Sequence, residues 1–367
     1  MFRERRVVAP SVATDYLMLK SLTIKNFRCF KDARLDGLKR VNIVTGRNAT
    51  GKTVLLESLF LAGGGSPLTV LILRAMRGMG DNVQINNTTL ARLWEDLFWC
   101  FDIHRPIDIS GIGTSQDSRS VLIAEAGAGS LTLPLTSQAE DARTESESPI
   151  QFTWRFDGRQ DVVIRPKITP QGLQIENTSV PILAIMFPAN FTLNPQETSQ
   201  RLSDIRRKNH LKMLIETMRT VFPDVTDVSV ENNAGVWMVY ISIPHVASQM
   251  IPMALHSAGM NRFVAILLGI ASAPKGIVLV DELENGLYYK TLGDVWRALH
   301  KFADQYKTQV FVTTHSMECL QAAADAIRVA PEDFALVRAN LDGEERWLDT
   351  FSGEKLEGAL ESGFELR

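Results

Sequence analysis

The sequence has few cysteines and no long apolar run. Its three cysteines, Cys29, Cys100 and Cys319, are far apart and form neither a CxxC pair nor a Cys/His cluster with metal-ligand spacing. This pattern argues against a disulfide framework and against a zinc site, and it fits a reducing cytoplasm. The longest apolar run in a helix-like segment, residues 263–273, is about half of what a bilayer span needs. We therefore expect a soluble cytoplasmic protein that has no membrane partner.

The chain also lacks an excess of charge of one sign, with a formal net charge of -3. Contact with nucleic acid would therefore need a local basic patch. One predicted helix carries such a run in residues 201–212: Arg201, Arg206, Arg207, Lys208, His210 and Lys212. The run is compatible with binding to DNA, to RNA or to an acidic partner, but such a run is more often an ordinary solvated helix face.

The pattern of apolar residues predicts an α/β protein built in two lobes. An arm over residues 1–17 precedes lobe I, residues 18–195, which combines a strand–loop–helix unit with short β-type runs. Residues 66–120 are read as mixed, with helices near residues 68–79 and 89–101. The β-type runs from residue 120 to 191, the last of them at residues 182–187, are typical of an antiparallel sheet interrupted by the polar loop 137–148. Residues 196–224 are predicted to form an inserted helical lid. Lobe II, residues 225–367, begins with two strands and continues as alternating helices and strands, as expected for a parallel sheet.

A glycine-rich loop lies between a predicted buried strand and a predicted helix. Its eight residues match the pattern GxxxxGK[ST]: Gly46, Arg47, Asn48, Ala49, Thr50, Gly51, Lys52 and Thr53. In this setting backbone N–H groups turn towards phosphate oxygens, and the helix N-terminus adds positive potential. Lys52 would neutralise β- and γ-phosphate charge, and the Thr53 hydroxyl would bind Mg²⁺. The alternative is a plain glycine turn before a helix.

Two carboxylates follow the buried strand formed by residues 277–280. Strand ends of a parallel sheet deliver their residues to the edge where ligands bind. Asp281 is predicted to hold Mg²⁺ through water, and Glu282 to act as the general base that polarises the attacking water. A capped strand end with solvated acids is the alternative.

Two further residues fit the same site. His315 follows another apolar strand and is predicted to contact a γ-phosphate or the attacking water as a catalytic residue. Ser257 and Gly259 open an apolar helix, which offers a hydroxyl and a close backbone approach to a second phosphate. Read alone, a serine at this position is more often an ordinary helix N-cap.

Taken together, these motifs resemble the ABC-type ATPase heads of the SMC, RecF and OLD group, and in particular its stand-alone AAA family ATPases. The resemblance covers the opening strand that ends before Arg28, the phosphate loop, the signature-like Ser257-Ala-Gly, the segment 281–287, the segment 313–316 and the final residues 364–367. It implies an ABC-ATPase head with ATP and Mg²⁺ as cofactors and with Arg28 among the nucleotide-binding residues.

The resemblance also implies that two chains close on ATP. The phosphate loop of one copy and Ser257 of another would contact the same nucleotide, giving an ATP-dependent homodimer or higher oligomer. The signature reads Ser-Ala-Gly-Met where the group usually has Ser-Gly-Gly-Gln. Residues 187–190 are the place to seek a substitute for the usual Q-loop glutamine.

Several roles remain open for such a head. The leading hypothesis is an ATP-hydrolysing switch for an effector encoded nearby, such as a nuclease or toxin, in anti-phage defence. The alternatives are a RecF-like ATPase of DNA repair or chromosome maintenance, a scaffold that binds ATP without hydrolysing it and, less favoured, a transporter subunit. No NKxD motif supports a GTP switch. No heptad array supports a long coiled coil, and too few residues follow His315 for a nuclease domain.

Overall fold

The computed structural model describes residues 18–79, 92–114, 117–126, 146–169, 172–176 and 184–361. The predicted arm over residues 1–17, the final residues 362–367 and most of the polar segment 137–148 lie outside these ranges.

Eighteen strands are described. The first ten are β1 (Leu19–Phe27), β2 (Phe30–Asp36), β3 (Val41–Thr45), β4 (Ile107–Gly113), β5 (Ser118–Glu125), β6 (Ser146–Glu147), β7 (Ile150–Phe156), β8 (Val162–Ile164), β9 (Lys167–Thr169) and β10 (Gly172–Gln174). The remainder are β11 (Ala184–Phe187), β12 (Asp227–Asn233), β13 (Val236–Ser242), β14 (Ile251–Pro252), β15 (Ile277–Val280), β16 (Gln309–Thr313), β17 (Phe334–Asp342) and β18 (Glu345–Ser352).

Ten α-helices accompany these strands. They are α1 (Lys52–Gly63), α2 (Leu68–Met76), α3 (Arg92–Glu95), α4 (Pro195–Arg207), α5 (Leu211–Val221), α6 (Ala258–Ser272), α7 (Leu292–Tyr306), α8 (Met317–Ala322), α9 (Ala324–Val329) and α10 (Gly353–Glu361). No helix within the described ranges combines the length and apolar character needed to cross a bilayer.

The central sheet has the strand order β11-β15-β16-β3-β17-β18. Its first five strands are parallel, and β18 pairs antiparallel with β17. The strands β15 and β16 are buried along their whole length, because helices or a second sheet cover both faces. The α/β fold, its parallel core sheet and the helical pair α4–α5 agree with the sequence prediction.

A second six-stranded sheet, β2-β1-β4-β5-β7-β8, is antiparallel and corresponds to the predicted antiparallel β lobe. Helix α1 packs between the two sheets, which explains why apolar residues occur on all its sides. The Trp154 indole donates a hydrogen bond to Leu61 O, and Arg119 donates to Gly64 O at the helix C-terminus. Burial lowers the pKa of Arg119 to about 10.

Three sequence predictions are wrong in detail. Strand β11, assigned to the antiparallel sheet, pairs in parallel with β15 in the central sheet. Of the helix predicted near residues 89–101, residues 89–91 lie outside the described ranges, residues 92–95 form α3 and residues 99–101 form a single 3₁₀ turn. Cys100 and Phe101 have φ angles of 54° and 59°, which an α-helix cannot accommodate. Strand β4 lay in a segment read as mixed structure, yet it pairs with both β1 and β5.

The predicted division into lobes stays a prediction. Strands β3 and β11 come from residues 18–195, whereas β15, β16, β17 and β18 come from residues 225–367, so both segments contribute to one sheet. The antiparallel sheet and the helices α4 and α5 remain distinct units around that sheet.

The buried side chain of Gln309 links the two large sheets through hydrogen bonds. Gln309 of β16 accepts a hydrogen bond from Leu19 N at 2.9 Å and donates to Leu19 O at 2.9 Å and Lys39 O at 2.8 Å. Its side chain therefore satisfies one N–H group and two carbonyl groups of the opening segment.

We expect the substitution Gln309→Leu to lower the free energy of unfolding by about 3 kcal/mol or more, because buried backbone groups lose their partners. Urea unfolding followed by circular dichroism measures the change. The exposed Gln321→Leu is the control and should unfold like the wild type. Equal stability of Gln309→Leu and the wild type would contradict this account of the junction.

Candidate functional site

The glycine-rich loop connects β3 to α1. Gly51 stands at the N-cap position of α1 with a φ of 103°, and a Cβ atom there would lie 2.7 Å from Phe30 Cζ. Both the conformation and the close approach require glycine. Arg47, Asn48 and Ala49 are exposed, whereas Thr50 is buried and donates to Arg47 O at 2.9 Å. The loop therefore presents an open backbone in front of a helix N-terminus.

The Lys52 ammonium group lies at the mouth of this loop. Its Nζ atom donates to Gly46 O at 2.8 Å and to Arg47 O at 2.9 Å. Burial lowers the pKa of Lys52, and the nearby carboxylates of Asp281, Glu282 and Glu284 oppose that effect. The lysine thus faces both the loop and the acidic strand end.

A hydroxyl–carboxylate contact joins the loop to the acidic strand end. Thr53 Oγ1 lies 3.2 and 3.1 Å from the two carboxylate oxygens of Asp281, although 228 residues separate them in sequence. Thr313 at the end of β16 donates to Asp281 Oδ1 at 2.6 Å. The Asp281 carboxylate is buried, and the hydroxyl groups of Thr53 and Thr313 hold it in place.

These oxygen donors fit Mg²⁺, which is usually held by one or two protein ligands together with phosphates and water. No group of three or more His, Cys, Asp or Glu side chains suited to hold a metal occurs in the described part of the chain. Within the described residues, the protein therefore supplies only some of the oxygen ligands of a Mg²⁺ ion, and phosphate and water would supply the others.

Glu282 follows directly in a left-handed backbone conformation, with a φ of 53°. Its N–H donates to Thr313 Oγ1 at 2.8 Å, and its Oε2 atom accepts from Asn285 Nδ2 at 2.8 Å. The side chain is 37% exposed. An uncommon backbone angle held by several hydrogen bonds is frequent at functional positions.

His315 is brought to the same edge by a carboxylate that the sequence analysis had given no role. Glu284 Oε1 accepts from the backbone N–H groups of His315 and Ser316 at 3.0 and 3.1 Å, and it lies 3.2 Å from His315 Nδ1. His315 Nδ1 is 3.8 Å from Glu282 Oε1. Glu284 was visible in the sequence as the third acid of the same motif.

Arg262 is a second residue that the sequence analysis missed, because an arginine within an apolar helix carries no distinctive pattern. Its guanidinium group is buried and donates to four carbonyl groups, those of Pro188, Ala189, Asp281 and Glu282. Helix α6 is thereby linked to the backbone of the acidic strand end. The carbonyls of Pro188 and Ala189 belong to the segment considered as a Q-loop substitute.

Ser257 caps α6, as the simpler of its two interpretations requires. Its Oγ atom accepts from Met260 N at 3.2 Å, and the side chain is exposed. A Cβ atom on Gly259 would lie 2.2 Å from Gly286 O, so glycine allows α6 to pack against the turn after Glu282. The same Oγ atom lies 3.4 Å from His256 Nδ1, and the nucleotide role of Ser257 stays a prediction.

Arg28 is placed in a buried ion cluster beside α1. Its Nε atom lies 3.2 Å from Glu57 Oε2, and Arg77 makes a 2.6 Å contact with Glu57 Oε1. Burial lowers the pKa of Arg28, while Glu57 opposes the shift. The neighbouring Cys29 touches the position of Gly51, so this turn supports the loop. A direct nucleotide contact by Arg28 stays a prediction.

The basic run over residues 201–212 does not form one continuous face. Arg201 lies with its guanidinium carbon 5.9 Å from the centre of the Phe187 ring, and His210 is 2.9 Å from the Tyr306 hydroxyl. The exposed cations are Arg206, Arg207, Lys208 and Lys212. Arg207 pairs with Asp204, and Lys212 lies 3.9 Å from Glu216.

Comparison with known proteins agrees with this geometry. An ATP/GTP phosphatase of Helicobacter pylori is 24% identical over 381 residues, covering 94% of this chain and 98% of that protein. The DNA replication and repair protein RecF of Clostridium acetobutylicum is 48% identical over 44 residues, or 12% of each chain. The SMC head crystallised with the C-terminal winged-helix domain of ScpA superposes with a TM-score of 0.50 at 12% identity, covering 92% of this chain and 98% of that one.

The family model for the AAA ATPase domain matches residues 18–90 and 175–320, which include the loop, the acidic strand end and His315. The chain therefore belongs to the AAA ATPase domain family, as an ATPase of the ABC, SMC and RecF type.

Proposed function

We propose that this chain hydrolyses ATP and uses the nucleotide to control its own dimerisation, as a switch for a partner effector. The observation that carries the proposal is the contact between Thr53 and Asp281, with Glu282 as the next residue. It brings a phosphate-binding loop, oxygen donors for Mg²⁺ and a candidate general base to one sheet edge.

Each residue has a defined task in this reaction. Lys52 exchanges the carbonyls of Gly46 and Arg47 for β- and γ-phosphate oxygens. Thr53 would hold Mg²⁺ directly and Asp281 would hold it through water, and the bound ion would neutralise charge that develops on the phosphates.

The proton transfer falls to Glu282. Its carboxylate accepts a proton from the attacking water, while Asn285 holds one carboxylate oxygen in place. His315 Nδ1 lies 3.8 Å from Glu282 Oε1, and in this proposal the imidazole orients the attacking water or the γ-phosphate. Arg262 and Thr313 keep the backbone of Glu282 in its left-handed conformation.

A second copy of the chain completes the site in this proposal. Ser257 is exposed, and two large side chains near it are also exposed: Leu255 at 78% and Tyr288 at 58%. Apolar side chains beside an open hydroxyl and a helix N-terminus suit a surface that closes over a phosphate. Mg-ATP would then bridge the loop of one copy and Ser257 of the other.

The output of the switch is proposed to be an effector such as a nuclease or toxin, in anti-phage defence. A second candidate is a DNA-repair ATPase, which the local match to RecF favours. Stimulation of hydrolysis by DNA that disappears as salt is raised would support the second candidate over the first.

The substitution Glu282→Gln tests the hydrolytic switch. We expect ATP hydrolysis to fall by roughly 100-fold or more, because the amide cannot accept the proton of water. We expect Mg-ATP to convert the variant into a stable dimer, measured as mass by light scattering. The control is Glu332→Gln, the same change at an exposed carboxylate. Equal inactivity of wild type and Glu282→Gln, with no change of mass, would contradict the switch.

Paired substitutions at Ser257 separate the N-cap from the nucleotide contact. Aspartate and asparagine both cap helices about as well as serine, so Ser257→Asp and Ser257→Asn should keep the melting temperature of the wild type. Only aspartate brings a negative charge towards phosphate. In the Glu282→Gln background, Ser257→Asp should abolish the ATP-dependent dimer, while Ser257→Asn retains it at least in part. Dimerisation of both variants alike would remove Ser257 from the nucleotide site.

A further inference from the structure

The strand β12 is the edge of a small sheet with the order β12-β13-β14. It forms a hairpin with β13, in which Asn233 pairs with Val236 across the two-residue turn Ala234-Gly235, whose φ angles are 50° and 87°. In such a hairpin the two residues that flank the turn form hydrogen bonds with each other, and so does every second residue pair further along the strands. The pairs between them, which include those of Val228 and Val230, form no hydrogen bonds across the hairpin. The backbone groups of Val228 and Val230 therefore point away from β13.

Part of this edge is already covered. Val228 N donates to Asp227 Oδ1 at 2.8 Å, so the first outward N–H is satisfied within the strand. Among the described strands, β12 pairs only with β13, so its other edge has no neighbouring strand. Val228 is only 2% exposed, so its outward carbonyl is covered, whereas Val230 is partly exposed. The outward N–H and carbonyl of Val230 are therefore the groups that an added strand would use.

A groove of about 290 Å³ lies between this edge and the corner of helices α4 and α5. It is lined by Leu202, Ser203, Arg206, Arg207, Leu211, Val228, Ser229 and Val230. Three consecutive strand residues line it, as expected for a groove that follows a strand edge. The apolar wall is formed by leucine and valine side chains.

Two charged residues line the groove, Arg206 and Arg207, and both are cations. Arg207 is paired with Asp204, which reduces its effect. Arg206 is exposed, and no ion pair to it is recorded within the described part of the chain. The carboxylates of Asp227 and Glu231 stand at alternate positions of β12, on the sheet face opposite to Val228 and Val230. An incoming segment therefore meets apolar side chains and one free positive charge.

We propose that this groove binds an extended acidic segment of a partner protein, which adds a strand to β12. Main-chain hydrogen bonds to Val230 would supply affinity, alternate apolar side chains would fill the groove, and a carboxylate would pair with Arg206. The inference deepens the proposed function, because it rests on a partner effector and describes the part of that effector that docks.

The groove is connected to the nucleotide site by direct packing. Arg201, next to the groove residue Leu202 on α4, lies over the ring of Phe187. Phe187 O in turn accepts a hydrogen bond from Asp281 N at 2.9 Å. A segment docked against α4 is therefore connected to the acidic strand end through Arg201 and Phe187.

The lining favours peptide over single-stranded nucleic acid. Bases usually stack on aromatic rings within a track of several cations. The residues that line the groove include two arginines and no aromatic ring. The alternative is kept as an outcome of the test.

The test uses the full chain and fluorescent synthetic peptides of about seven residues, in which Val alternates with Thr. One peptide carries a short run of Glu at its amino end and another carries it at its carboxyl end, because either strand direction fits an edge. Fluorescence anisotropy should detect binding of one of them. The same peptide methylated on alternate backbone nitrogens should not bind, because strand addition needs those N–H groups.

Charge reversal locates the binding site. We expect Arg206→Glu to weaken peptide binding roughly tenfold, and Lys212→Glu, which reverses a cation outside the groove, to leave it nearly unchanged. Failure of both acidic peptides to bind, or equal binding of the methylated peptide, would overturn the proposal. Tighter binding of an oligothymidine that Arg206→Glu abolishes would assign the groove to nucleic acid and also overturn it.

ATP hydrolysis is measured on the same samples. A chain that hydrolyses ATP but binds no peptide rejects the groove and leaves the proposed function standing. A chain that binds the peptide but does not hydrolyse ATP supports the groove and counts against the proposed function.

Discussion

The hydrogen bonds of the Asp281 carboxylate depend on the parallel pairing of three strands. Strands β3, β16 and β15 lie side by side and end at the same sheet edge. This arrangement brings Thr53, Thr313 and Asp281 into contact, although they come from distant parts of the sequence. Because these three strands are buried on both faces, none of them can shift without exposing apolar side chains. The packing of the core therefore sets the position of the Asp281 carboxylate.

Buried cations hold the segments around that edge. Arg262 donates only to backbone carbonyl groups, and it joins helix α6 to the two strand ends beside it. Glu57 of α1 joins Arg28 of the β1–β2 turn and Arg77 beyond α2. A buried charge without partners is costly, so these contacts constrain the relative positions of helix, turn and strand. Glu282 and the glycine-rich loop are therefore held by different networks.

The local parts of the site could be predicted because each is short and contiguous. The strand–glycine loop–helix unit and the apolar strand with its two acids have patterns that depend only on neighbouring residues. The partner of a strand depends on distant segments, and this is why β11 was assigned to the wrong sheet and β4 was overlooked. Arg262 and Glu284 were also given no role. The groups that they bind are backbone carbonyl and N–H groups of residues distant in sequence, which no sequence pattern identifies.

The sequence by itself determined the loop from Gly46 to Thr53, the acidic strand end and the helices and strands that carry them, because turn chemistry and apolar periodicity act over a few residues. The tertiary structure decided which of these segments meet, how Glu282 is held, and that β12 has an open edge beside an apolar groove. Contacts of this kind arise from packing between segments that are distant in sequence, and no local pattern encodes them.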